Sequence, residues 1–314
     1  MNDNNPINSD ERAELIRLTK FEMEIRESYG NIRFSQNHVP NWPGFSMSGA
    51  TRQLNHIFGG DHIACVDYKN RVRLDDLIIE ASKLGRMDSN GNSVADELPN
   101  NEHRSLVVVA DVAGHDPSTV LETFAFHHLL IQAVRNGLIY EGQFSIRNIR
   151  SINNRIRDAR SLKQVASTFG EIYDDGKFRC ANFRAPYPIR GRLDDKKAYF
   201  ERPNTRVVAN QETALGLAPD LLNPMEESKF AQLKIEGRVT QYDHLRPGEF
   251  LILYTDGWLD RESARPGKIR RAARDVMHHH RNEQAEDLTR MLIDASVHTS
   301  PPDDDMSVFL IKRT

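Results

Sequence analysis

Four aspartates in this chain share one local setting. Asp61, Asp111, Asp256 and Asp304 each stand where a strand-like run meets a turn, and three of the four have glycine close by. A carboxylate where a core strand stops sits on a rigid element and faces an open sheet edge. One such residue in isolation, for example Asp111 ahead of Gly114, His115 and the Asp116-Pro117 pair, reads most simply as part of a helix-capping loop. Four at one edge would repel each other and strain the fold unless cations neutralised them. Oxygen ligands select hard divalent ions, Mg²⁺ or Mn²⁺, with waters completing an octahedral shell. No Cys/His spacing argues for zinc. Two such ions about 3.5–4 Å apart would bind a bridging water, lower its pKa and aim it at a phosphoryl group.

Several elements must position these groups. Residues 106–110 are a short, Val-rich apolar run that reads as a buried strand, ended by Asp111. Residues 55–67 read as strand, tight Gly-Gly turn, strand, with Asp61 on the turn. A helix is expected over 117–136 with Gly137 as its C-cap, and a second over about 144–160. His127 and His128 on the first of these are read as packing or surface residues rather than ligands. Two strands over 165–173 and 177–183 are joined by Asp174-Asp175-Gly176, a strong hairpin signal. The second clear core strand, 250–254, ends at Thr255-Asp256-Gly257; two polar helices follow over about 268–281 and 283–297, then Asp303-Asp304-Asp305 leads into a last strand over 306–312. The run His278-His279-His280 is read as a solvated helix face, because consecutive helical residues point about 100° apart and cannot all face one ion.

The rest of the chain supplies less pattern. Residues 39–49 read as a connector, and 184–236 as a mixture of prolines, charges and short apolar pieces in which 215–220 is a loop candidate. Residues 69–104 contain a very polar stretch, 87–101, read as a mobile surface loop inserted in the domain. Residues 1–30 form a separate N-terminal helix, set apart from a domain spanning 31–314. Its broad apolar stripe (Leu15, Ile16, Leu18, Phe21, Met23, Ile25) fits packing on its own domain, with a regulatory role or dimerisation through it as the alternative.

Composition bounds the function. The chain has 314 residues, 39% hydrophobic and 28% charged, enough for a sizeable core. A formal net charge of −3 gives no basis for binding nucleic acid or an anionic membrane. The polar N-terminus lacks an apolar signal region, and no window approaches about 18 uninterrupted apolar residues, so the expectation is a cytoplasmic protein without a membrane span. The 2 cysteines, Cys65 and Cys180, lie in strand-like runs and are expected as buried free thiols.

Taken in order, the motifs carry a resemblance. Residues 58–61 (FGGD) are similar to a Gly-Gly-Asp motif, 110–115 (ADVAGH) to Gly-Asp-Val-Ser-Gly-His, and 245–257 (LRPGEFLILYTDG) to a Leu-x-Pro-Gly-Asp strand followed by Thr-Asp-Gly. Residues 304–307 (DDMS) match an Asp-(Asp/Asn)-Met-Thr ending, and weaker likenesses lie at 165–182 and 215–220. From about residue 39 to the C-terminus, this pattern resembles the metal-dependent (PPM, type 2C) protein serine/threonine phosphatases, in particular their bacterial SpoIIE/RsbU-like branch. The resemblance implies an α/β (α+β) fold: a four-layer α/β/β/α sandwich of two antiparallel sheets flanked by helix pairs. It implies a phosphatase that hydrolyses phosphoserine or phosphothreonine on a partner protein, by attack of a hydroxide held between two divalent metal ions, Mn²⁺ or Mg²⁺, without a phosphoenzyme. Asp61 and Asp111 would hold or bridge the metals, the Val112 carbonyl would be a further ligand, and Asp256 and Asp304 would complete the shell. His115 has two readings, contact with the phosphate as a general acid or stabilisation of its turn. The implied substrate is a small phosphoprotein of the anti-sigma-antagonist (STAS) type, and no organic cofactor is signalled.

The chain also departs from the pattern. Asp116 stands where the family has Gly, 182–186 (NFRAP) replaces Asn-Ala-Gly-His-Pro, and the polar insertion and the 221–233 region are extended. These departures sustain one alternative, a catalytically weak or inactive phosphoprotein-binding scaffold on the same fold. A cyclic-dinucleotide synthase, suggested by Gly59-Gly60-Asp61-His62, is rejected: no earlier strand supplies its acidic ligand, and His62-Ile63 replaces the required Glu-Phe.

Overall fold

The computed structural model describes residues 34–54, 59–88, 90–114, 117–159, 163–194, 197–201, 214–215, 243–259, 266–300 and 302–314. In chain order the elements are β1 (Phe45–Arg52), β2 (Asp61–Asp67), α1 (Leu74–Leu84), α2 (Val94–Glu97), β3 (Arg104–Val112), α3 (Pro117–Glu141), α4 (Ile146–Asp158), β4 (Val165–Tyr173), β5 (Lys177–Phe183), β6 (Ile189–Leu193), β7 (Ala198–Glu201), β8 (Asp243–His244), β9 (Glu249–Tyr254), α5 (Asp256–Leu259), α6 (Pro266–His279), α7 (Ala285–Thr299) and β10 (Met306–Arg313).

The strands form two five-stranded sheets, ordered β1-β10-β9-β6-β7 and β2-β3-β4-β5-β8. Every pairing in them is antiparallel. Strand alternation divides the apolar residues among three layers. Ile63 and Cys65 of β2, Val107 and Val109 of β3, Leu251 and Leu253 of β9 and Phe309 of β10 fill the space between the sheets. The opposite faces of β2 and β3 (Ala64, Val66, Leu106, Val108) pack under α1, α3 and α4. Those of β9 and β10 (Phe250, Ile252, Val308, Leu310) pack under α5, α6 and α7. Being covered on both faces is why β2, β9 and the Val-rich β3 read as continuous apolar runs. The result is the four-layer sandwich with helices outside both sheets.

The hairpin over β4 and β5 forms as expected, with Gly176 at φ +94 in its turn. Both cysteines are free and buried, and burial pushes each thiol up to about 12.

Four expectations are corrected. The stretch 87–101 is not a loose surface loop: Val94 and Leu98 are fully buried in the helix-covered core, and Asn101 donates to the carbonyls of Leu98 and Gly142. Ahead of it, α1 buries Leu74, Leu77 and Ala81, a helical spacing hidden among charged neighbours. The helix expected to stop at Gly137 continues to Glu141. Gly137 lies inside it, where a Cβ would stand 2.7 Å from Asn148 Oδ1, and Gly142 at φ +71 provides the stop. Residues 45–49, read as part of a connector, begin β1, which pairs with β10 in the other sheet, while the strand expected just before the Gly-Gly turn, 55–58, lies outside the described residues. Finally, β6 and β7 lie in the segment read as irregular. The alternation of β6 is disguised by its arginines, with Arg190 held at 2.8 Å from both Asp243 and Glu249.

The N-terminal helix, with the dimerisation assigned to it, lies outside the described residues. Among the described residues no helix is long and apolar enough to cross a membrane.

Candidate active site

The register of β2 and β3 places Asp61 directly opposite Asp111. The ladder continues past the pair, with the Val112 amide donating to the Gly60 carbonyl at 3.0 Å. Room for this crossing is made by glycine: a Cβ on Gly60 would stand 2.0 Å from the Val112 carbonyl oxygen and 3.0 Å from Asp111 Oδ1. The Val112 carbonyl and the Asp111 carboxylate therefore border one narrow space beside Gly60.

Asp61 is buried, and Thr255 from the other sheet holds it: the Thr255 hydroxyl donates to Asp61 Oδ2 at 2.7 Å while accepting from the Ser307 amide at 2.9 Å. Thr255 also donates its amide to the Ser307 carbonyl at 3.1 Å. This pair of contacts fixes the end of β9 against the start of β10, and so the turn carrying Asp256 against the run carrying Asp304. The helical turn that Asp256 opens is anchored by Trp258, whose indole N–H donates to the Leu292 carbonyl and whose own carbonyl accepts from Ser296. Gly257 lets this turn close on the aspartate run, since a Cβ there would stand 1.8 Å from the Asp305 carbonyl oxygen and 3.1 Å from the Asp304 Cβ.

Burial, followed by the charge of Asp111, raises the Asp61 pKa well above the carboxylate range. The Thr255 hydroxyl opposes the shift, and Asp305 and Asp304 add to it. Asp61, Asp111 and Asp304 thus share one electrostatic neighbourhood, with Asp305 as a fourth member. Asp256 is exposed at the rim, its Oδ1 accepting from the Gly257 amide at 3.0 Å. His115 and Asp116 lie outside the described residues.

Asp305 is the residue that sequence reasoning missed. It is buried, and its carboxylate accepts from the Leu54 amide at 2.7 Å and the Gly60 amide at 2.9 Å, closing both ends of the segment that delivers Asp61. The available signal was a third aspartate immediately before an apolar strand, where solvation alone gives no reason for burial.

The donors at this edge are carboxylates and a backbone carbonyl, a set that suits a hard divalent cation and not zinc. A cation would also lower the repulsion that raises the Asp61 pKa. Among the described residues no three His, Cys, Asp or Glu side chains already converge into a metal shell. A cavity of about 440 Å³ is lined by Pro186, Tyr187, Phe200, Tyr254, Leu259 and Arg270 among others, and none of the candidate aspartates lines it.

Comparison with known proteins agrees with this fold. The family model for stage II sporulation protein E (SpoIIE) matches residues 101–314. Among solved structures, the RsbU and RsbW domains of a Mycobacterium tuberculosis protein superpose with a TM-score of 0.56 at 13% identity, covering 89% of this chain and 64% of that one. The SiaA-PP2C domain of Pseudomonas aeruginosa gives 0.55 at 12% identity, covering 95% and 98%. The PP2C phosphatase domain of SpoIIE from Bacillus subtilis, with a fragment of its regulatory domain, gives 0.51 at 11%, covering 85% and 62%. At these identities the likeness is one of fold. No curated protein matches at the level of sequence.

Proposed function

Because the chain belongs to the SpoIIE family of PP2C-type phosphatases, we propose that it removes phosphate from phosphoserine or phosphothreonine on a partner protein, using the carboxylate edge as a two-cation site. The observation that carries this reading is the Asp61–Asp111 pair, set opposite each other across two core strands with the Asp61 pKa driven up by burial and by its acidic neighbours. Asp61, Asp111, Asp256, Asp304 and the Val112 carbonyl would hold two divalent ions, Mn²⁺ or Mg²⁺. When bound, such ions neutralise the phosphoryl oxygens and lower the pKa of a water between them. The chain's own residues supply position. Thr255 orients Asp61, Gly60 admits the Val112 carbonyl, and Asp305 ties down the segment leading to Asp61. No side chain here is required as a covalent nucleophile, which fits direct attack by water in line with the leaving seryl oxygen. A STAS-type phosphoprotein is the substrate class that the family resemblance suggests.

Hydrolysis of p-nitrophenyl phosphate and of a phosphoserine peptide, with Mn²⁺ or Mg²⁺, tests the reading. Turnover is expected to depend on the cation and to be abolished by Asp256→Asn. A folded wild-type protein that neither turns over nor binds Mn²⁺ overturns it in favour of a phosphoprotein-binding scaffold.

A further inference from the structure

Among the described residues only two that are not glycine adopt a positive φ, Arg73 at 55° and Arg184 at 57°. Side chains with a Cβ enter this region at a cost, so each instance calls for a cause. Arg73 has a local one: it is the N-cap of α1 and pairs with Asp76 at 2.8 Å. Arg184 does not. Its side chain is exposed, and it forms no hydrogen bond or ion pair among the described residues. Glycine would occupy the same backbone without strain.

The loop holding Arg184 is nevertheless built to be rigid. Asn182, almost fully buried, donates from Nδ2 to Thr168 Oγ1 at 3.0 Å and to the Pro186 carbonyl at 2.9 Å, so one side chain clasps the loop from beginning to end. Arg184 itself bridges to Ser167 in parallel. Ser167 lies opposite Ala110, the residue before Asp111. Arg184 therefore stands on the same sheet edge as Asp111, two strand spacings or about 10 Å along it. A long guanidinium side chain and an anionic group on a bound phosphoprotein can close that distance between them.

We infer that Arg184 is a substrate-positioning residue, held in a strained but clasped loop to bind an anionic group of the phosphoprotein substrate at the edge of the carboxylate site. The anionic group is either the phosphoryl group or a carboxylate flanking the phosphorylated residue. Planar bidentate recognition of such groups is the chemistry in which arginine exceeds lysine. The inference deepens the phosphatase reading and rests on it for the identity of the substrate.

The test is Arg184→Gly, with Arg184→Lys as the conservative variant. Three substrates are compared: p-nitrophenyl phosphate, a phosphoserine peptide with neutral flanks and one with acidic flanks. Arg184→Gly is expected to raise KM about tenfold, as for loss of one charge-assisted contact, with kcat unchanged and Tm unchanged or higher because strain is relieved. Arg184→Lys should recover part of the loss. A rise in KM for all three substrates assigns the phosphoryl group; a rise confined to the acidic peptide assigns the carboxylate. Unchanged KM throughout, with a higher Tm, overturns the inference. Binding of a non-hydrolysable phosphonate peptide, followed by fluorescence anisotropy, separates this outcome from failure of the phosphatase reading. Weaker binding in Arg184→Gly without turnover in either protein would sustain Arg184 and remove the enzyme, whereas no binding by wild type would remove both.

Discussion

Two acidic clusters in this molecule are built on opposite principles. Around Arg190, Asp243 and Glu249 meet a single guanidinium: Nη1 reaches the two Asp243 oxygens at 2.8 and 2.9 Å, and Nη2 reaches Glu249 at 2.8 Å. Glu249 also accepts from the Arg246 amide at 2.8 Å. Opposite charges meet there, and the cluster ties β6 to β8 and β9. Around Asp61 further carboxylates, Asp111, Asp305 and Asp304, act on the carboxyl group and raise its pKa, while the Thr255 hydroxyl favours its ionised form. The first cluster carries its counter-charge within the fold. On the proposed reading a cation completes the second, and burial of its charges is a cost that the bound cation would offset.

This contrast can be broken most sharply by exchanging charge for amide. Asp111→Asn is expected to lower cation-dependent turnover about 10³-fold or more while leaving the cation-free fold at least as stable. Arg190→Met should do the reverse. It should lower unfolding free energy by about 2–3 kcal/mol, because two largely buried carboxylates lose their partner, with kcat per folded molecule unchanged. Denaturant melts and turnover measured on the same preparations decide this. A turnover loss in Arg190→Met equal to that in Asp111→Asn would erase the distinction between the clusters. A smaller effect is expected from Asp305→Ala, which frees the Leu54 and Gly60 amides without removing a proposed ligand. Mn²⁺ affinity measured by calorimetry should weaken about 10–100-fold, the scale for residues that orient metal ligands. Asp305→Asn, which keeps one acceptor, should lie between.

Much of the carboxylate edge was legible because its signals are local. Asp61, Asp111, Asp256 and Asp304 each follow or precede a run whose apolar character reports double-sided burial, and the Asp174-Asp175-Gly176 turn fixes the hairpin beside them. What escaped was set by partners distant in sequence. Gly137 looks like a stop signal, yet its role is to let Asn148 approach the helix. Val94 and Leu98 are two apolar residues in a polar stretch, and only the core beneath them shows that they are buried. Arg190 masks the strand character of β6 because its counter-charge Asp243 lies far along the chain, at a separation of 53. Asp305 was indistinguishable from its two aspartate neighbours until Leu54 and Gly60 were brought to it.

A third polar group sharpens the comparison through pH. On the helix-covered face of β2, Arg71 Nη2 lies 3.2 Å from His127 Nε2, and His127 Nδ1 lies 2.9 Å from His62 Nε2. Since the guanidinium can only donate, His127 carries its proton on Nδ1 and donates to His62. Burial, with Arg71 in support, lowers His62 to about 3; burial, then His62 and Arg71, lowers His127 to about 2. Their folded values lie below the unfolded value of 6.5, so their contribution to stability is present above pH 6.5 and is lost as pH falls toward those values. Asp61 has the opposite sign. Its folded value is raised above the unfolded 3.8, so its contribution is present below that pH and is lost as pH rises through the folded value. In cation-free protein the two effects oppose each other, and Asp61→Asn removes one of them. That variant should lose roughly 0.7 kcal/mol per buried histidine between pH 7 and pH 6, read as a fall in Tm, and the additional change His127→Gln should shrink the fall. If Asp61→Asn instead melted higher on acidification, the histidine pair would not be held neutral, and the contrast in sign between the pair and the acidic edge would fail.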